Sequence, residues 1–265
     1  MSRWLLTMAA CMVCAEPAWA ELEITQVRAC YGPRGPERKS LEAVPGDQVF
    51  FSFRMQGLAT DGDGKVDMAM HMEIRDPAGI TQTQKIPSRD VLSLGGGTLT
   101  AVSNLNLGPQ AIPGEYSLKV TIVDNLAKST ASFERTVTCK KLEFAIAQLG
   151  FFLDKEGKLP GSSTGIVGQA LHMRLLAVGF DRTQPKLKII MMVQTLDKKG
   201  TELMPQPLRV EAATKDANAI ATIPGVGFNA FLTPNRPGEF SLRITLIDDV
   251  SERKTELTVP LTILP

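Results

Sequence analysis

Histidine is scarce in this 265-residue sequence: there are two, His71 and His172, in opposite halves of the chain. Nucleophilic catalysis needs a nucleophile, a base and an orienting acid that converge on one point. Neither histidine has a serine or cysteine nucleophile motif nearby, and Gly-x-Ser-x-Gly is absent. The sequence therefore reads as non-enzymatic. A block of one charge is missing too, because 29 Lys and Arg nearly cancel 28 Asp and Glu and both signs are scattered. Nucleic acid and anionic membrane surfaces are accordingly poor partners. Beyond the N-terminus no apolar run approaches the roughly 20 residues of a membrane-spanning helix, so no membrane span is expected. Amphipathic helical periodicity is lacking as well. The triple glycine Gly95-Gly96-Gly97 has neither a Gly-Lys-Ser/Thr ending nor a following helix, so it reads as a flexible connection and not as a phosphate loop.

What is present begins with a leader. Met1-Ser2-Arg3, an apolar stretch from Trp4 to Val13 and the small-residue motif Ala18-Trp19-Ala20 read as a cleavable secretory signal peptide over 1–20. Lipidation at Cys11 is the alternative, and it leaves Ala18-Trp19-Ala20 unexplained. Either way the protein is expected to be exported, periplasmic or extracellular. Cys11 and Cys14 leave with the leader. Cys30 and Cys139 remain, and two cysteines in an oxidising compartment suggest one disulfide.

The organising feature is an internal repeat. Pro113-Gly114-Glu115-Tyr116-Ser117-Leu118-Lys119-Val120-Thr121-Ile122-Val123-Asp124 returns as Pro237-Gly238-Glu239-Phe240-Ser241-Leu242-Arg243-Ile244-Thr245-Leu246-Ile247-Asp248. Gly46 to Phe51 similarly meets Gly168 to Met173, and Lys65 to Met70 meets Lys186 to Met191. The chain is a tandem duplication, with copy one expected over 21–140 and copy two over 141–265. Within a copy the apolar period is two: Tyr116, Leu118, Val120 and Ile122 alternate with Ser117, Lys119 and Thr121, the pattern of half-buried strands. The expected fold class is all-β, two tandem immunoglobulin-like β-sandwiches of about seven strands each.

The Pro-Gly-Glu-aromatic-x-Leu-x-aliphatic pattern ending in Asp resembles the penultimate strand of the immunoglobulin-like and fibronectin-like repeats of secreted bacterial proteins. That resemblance implies fold and compartment, since such repeats host many unrelated functions. It also implies that the first and last strands, carrying Cys30 and Cys139, lie side by side. A bridge there would tie the ends of copy one and contribute on the order of 4 kcal/mol.

Three constellations invite a chemical reading. Asp61-Gly62-Asp63-Gly64 places carboxylates at alternate positions, and Asp61, Asp63 and Asp124 are expected at one end of the sandwich, a candidate calcium site. The competing reading is a tight Asp-Gly turn. Met68-Ala69-Met70-His71-Met72 resembles the methionine-rich stretches of exported copper-handling proteins, whose soft thioethers suit Cu(I). Met68 and Met72 align with Ile189 and Val193, however, so those positions ask for apolar bulk. Finally, pilus-assembly chaperones also have two immunoglobulin-like domains, which makes Arg28 and Lys140 candidate anchors for a client carboxylate. The expected function is a non-enzymatic binding or assembly module for a protein or glycan partner. Metal-binding accessory protein and periplasmic chaperone are the alternatives.

Overall fold

The computed structural model describes residues 21–92 and 98–265, with the side chains of 88–92 excepted. The leader expected over 1–20, Cys11 and Gly95 to Gly97 lie outside the described residues.

Alternating apolar residues bury one face of each strand, and two such faces close a sandwich. Eight strands come from the first half: β1 (Glu23–Cys30), β2 (Glu42–Ala43), β3 (Gln48–Gln56), β4 (Lys65–Arg75), β5 (Thr81–Leu92), β6 (Leu99–Asn106), β7 (Gly114–Asp124) and β8 (Ser129–Cys139). They form a three-stranded sheet, β1-β3-β6, and a five-stranded sheet, β2-β8-β7-β4-β5. Between them Val49, Phe51, Phe53 and Met55 of β3 meet Leu118, Val120 and Ile122 of β7 in one buried cluster.

The second half repeats the plan with β9 (Ala145–Phe152), β10 (Thr164–Ile166), β11 (Leu171–Val178), β12 (Leu187–Leu196), β13 (Leu208–Thr214), β14 (Val226–Leu232), β15 (Gly238–Asp248) and β16 (Arg253–Leu264). Its sheets are β9-β11-β14 and β10-β16-β15-β12-β13, the same order. The all-β expectation therefore holds, with a short parallel edge strand in each copy beyond the seven expected. One helix was not expected: α1 (Ala217–Thr222), six residues capped by Asp216, whose side chain accepts from the Asn218 and Ala219 amides. It buries Ile220 alone, too little for a helical period to show in the sequence.

The repeat reaches down to backbone irregularities. Gln26 and Gln148 have φ of 52° and 51° at the bulges of β1 and β9, and Lys128 and Glu252 have φ of 56° and 59° in the turns before β8 and β16. Asp124 and Asp248 are a third pair. Asp124 is buried at the end of β7 and accepts from the amides of Ala59, Leu126 and Ala127. Asp248 does the same for Asp181, Val250 and Ser251. Each carboxylate pins the loop between two strands of opposite sheets to the adjacent hairpin, satisfying amides that would otherwise be buried without partners.

Where the copies meet, the lower end of copy one caps the upper end of copy two. Val44 packs with Ala147 and Val178, flanked by Ala145 and Leu176. Gly46, at φ +92°, approaches so closely that a Cβ would sit 3.2 Å from Val178 Cγ1. The Asp47 Oδ1 accepts from the amides of Gln48 and of Gln148 across the junction, and its Oδ2 takes a 2.6 Å bond from Arg38. Both side chains of that ion pair are nearly inaccessible, at 6% and 4%. The Arg38 guanidinium also lies over the Tyr31 ring, 4.6 Å from its centroid, and Tyr31 packs against the core of copy two.

Candidate binding site at the open end of copy two

The residues singled out by sequence are placed as follows. Asp61 Oδ1 accepts from the amides of Asp63 and Lys65, closing its own turn, while Asp124 is committed to the three amides named above. Among the described residues no group of three His, Cys, Asp or Glu side chains is arranged to hold a metal ion, so Asp61, Asp63 and Asp124 are not brought together as one. Met68 and Met72 are buried in the core of copy one, where their thioethers act as filler. His71 sits on the outer face of its sheet in a shallow groove with Lys85, Lys119 and Thr121. His172 stacks on Phe231, ring centroids 6.0 Å apart. The two candidate carboxylate anchors do not converge: Lys140 is paired with Glu42 at 2.6 Å, and Arg28 lines a different cavity beside Cys30 and Arg34.

The disulfide is a correction. Cys30 and Cys139 are both buried and both free thiols. β1 pairs with β3 and β8 lies between β2 and β7 in the opposite sheet, so the two strands are not neighbours in one sheet. The side-chain faces also disagree. Cys30 is opposite Phe50, on the outer face, whereas Cys139 is opposite Gly114 and points into the core. Burial pushes both thiols above their ordinary value, with Arg28 opposing the shift at Cys30 and Asp47 adding to it at Cys139.

The arrangement with binding potential is one that sequence reasoning passed over. At the lower end of copy two a cavity of about 570 Å³ opens between the sheets. Leu232, Phe240, Leu261 and Ile263 form an apolar floor, and Thr195, Thr233, Asn235 and Arg236 form a polar rim. Such a volume and such a lining suit a small ligand or an inserted side chain. Copy one is closed at the same place. Register sets Leu105 opposite Val49 and Leu232 opposite Leu171, so the following loops correspond: eight residues, 106–113, in copy one and five, 233–237, in copy two. The longer loop lays Leu107, fully buried, and Ala111 onto the core, and the Tyr116 hydroxyl donates to the Ile112 carbonyl. In copy two Pro234 replaces Leu107, Phe240 replaces Tyr116, and the core end is left open.

Beside the cavity runs an apolar ledge. Val44, Pro45 and Gly46, buried at the junction, correspond to Ile166, Val167 and Gly168, all exposed. Tyr31, packed on copy two, corresponds to Leu153, which is exposed. Gly168 donates its amide to Pro234 of the cavity wall, as Gly46 does to Leu107, which joins ledge and cavity in one surface. The difference in loop length was readable from the repeat; what it uncovers was not.

No protein-family model and no curated protein matches this sequence. Among solved structures the chain is similar to the C-terminal domain of the Streptococcus agalactiae AgI/II polypeptide BspA, at 11% identity over 91% of this chain and 99% of that one, with a TM-score of 0.30. It is also similar to red sea bream transglutaminase, at 11% identity over 93% and 32% with a TM-score of 0.28. For dimeric latent PorU of Porphyromonas gingivalis the identity is 10% over 97% and 21%, with a TM-score of 0.40. Likeness of this degree carries no inference about what the chain does.

Proposed function

We propose that this chain is a non-enzymatic exported module that binds a protein partner through the open end of copy two. One observation carries the reading: the apolar surface by which copy one seats the second sandwich recurs on copy two as the exposed Ile166, Val167 and Gly168 beside an open cavity. An apolar ledge next to a polar-rimmed cavity has the anatomy of an interface core with its rim. Its apolar character favours a protein partner over a glycan, whose hydroxyls would be desolvated there without hydrogen-bond partners. Export is supported by the leader-like 1–20 segment.

Site-specific photo-crosslinking in the producing cell tests this. A photoreactive residue at Ile166 should give a discrete adduct, and one at Thr130, exposed on β8 of copy one, should not. No adduct at Ile166, or the same adducts at both positions, refutes the reading.

A further inference from the structure

Arg236 stands at the rim of the copy-two cavity with its guanidinium over the Phe240 ring, 5.5 Å from the centroid. It has no ion-pair partner among the described residues, whereas the neighbouring Glu239 is bound to Lys198 at 2.9 Å and Glu202 to Arg243 at 3.0 Å. The cavity thus combines an apolar floor with one uncompensated cation and neutral donors from Thr195, Thr233 and Asn235. A planar guanidinium lying over an aromatic ring at the cavity rim is suited to a carboxylate, which it can hold with two parallel hydrogen bonds. We infer that the cavity binds an apolar body carrying a carboxylate, with the body on Leu232, Leu261 and Ile263 and the carboxylate on Arg236.

Two sources share that chemistry: a free alkyl or aryl acid, and the C-terminal residue of a polypeptide ending in a large apolar side chain. The inference rests on the open end being the binding surface and adds the ligand class to it. Copy one supplies an internal control, because its equivalent cavity is closed by Leu107 and its loop carries Pro109 at the position of Arg236 when counted from the corresponding Leu105 and Leu232.

The test uses the intact chain and dansyl-labelled undecanoate, with its methyl ester as the neutral counterpart. The acid should bind saturably, with a blue shift of dansyl emission, and more tightly than the ester. Arg236→Gln should weaken the acid at least tenfold and leave the ester unchanged, while Arg75→Gln, an exposed arginine of copy one, should alter neither. Replacing residues 233–237 with the sequence of 106–113 should abolish binding of both probes. Displacement by decanoate alone assigns a free acid as the source. Displacement by a peptide ending in Leu-Phe carboxylate, but not by its amide, assigns a chain terminus. Absence of saturable binding, equal affinity for acid and ester, or an unaffected Arg236→Gln variant each overturns the inference. A crosslink at Ile166 without probe binding would remove this inference and leave the proposed docking surface standing. Probe binding without a crosslink would remove the docking surface alone.

Discussion

Asp47 differs from its copy-two counterpart Gln169 in environment as much as in charge. It is buried, paired with Arg38 and shared across the junction, whereas Gln169 is exposed. Removing one partner of a buried ion pair leaves a charge without compensation, which costs more than the pair itself contributes. Asp47→Ala is therefore expected to lower the unfolding free energy by about 3 kcal/mol, read from urea denaturation. An effect below about 1 kcal/mol, the range of exposed pairs, would show the junction to be solvated in solution. The two thiols give a second residue-scale prediction. Burial raises Cys30 and Cys139, and it raises Tyr31 and Tyr116 as well. A raised acid holds its proton more tightly when folded, so its stabilising contribution is complete below the unfolded value and is lost as pH climbs through the folded one. For the cysteines the loss begins above 9.0, their ordinary value. Melting temperature should fall across that alkaline range, and a Cys30→Ala/Cys139→Ala variant should fall less steeply. At neutral pH a thiol reagent should label neither cysteine in the native chain from residue 21 onward, and both in urea; a single disulfide would leave none to label in either condition.

At the scale of elements, the strands were legible because each copy corroborates the other, and the period of two that buries Met72 and Met173 turns the adjacent His71 and His172 to the outer faces. At Cys30 the period of two is offset by one residue of backbone. Alternation from Ile24 would turn Cys30 inward, but Gln26 adopts φ 52° and inserts a bulge, so that Val27 and Ala29 face the core and Cys30 faces out. A one-residue register shift moves every later side chain to the other face of the strand, and glutamine carries no sequence signal for that conformation. The cavity escaped notice for a related reason: periodicity describes strands, whereas the cavity is made by a loop three residues shorter than its counterpart. The junction depends on side chains that read as ordinary strand positions until the copies are compared. Ala145, Ala147, Leu176 and Val178 stand where copy one has Glu23, Thr25, Arg54 and Gln56. Val178→Gln installs the copy-one residue against Gly46 and Val44. Unfolding followed by calorimetry should then separate into two transitions where the parent should give one, since the junction cluster joins the sandwiches. A single transition retained in the variant would assign the coupling to the Arg38, Asp47 and Gln148 bonds instead.

For the whole molecule, the comparison of copies gives the two ends opposite characters. The lower end of copy two presents the apolar ledge of Ile166 and Val167 with Leu264 beside it, and the upper end of copy one carries Glu23, Thr25, Arg54 and Gln56, of which Glu23 and Arg54 are exposed. A seat and a knob on one chain, if complementary, form a heterologous contact, which generates open filaments when its rotation does not close. The exposed Glu23 and Arg54 oppose such a contact on physical grounds: they would lose their water on the ledge and find no partners there. The variant Glu23→Ala/Thr25→Ala/Arg54→Leu/Gln56→Val, which copies the knob of copy two onto copy one, should form concentration-dependent head-to-tail chains that the parent does not form under the same conditions, detected by light scattering during size exclusion. The association should be weaker than the internal junction, because Gly161 and Gln169 replace Arg38 and Asp47 and leave out the buried ion pair. Adding Ile166→Glu should return the variant to a monomer, since a carboxylate would then be buried against alanine, leucine and valine. Assembly that survives Ile166→Glu would mean the ends meet elsewhere, and an equally associating parent would remove the polar knob as a barrier to head-to-tail contact.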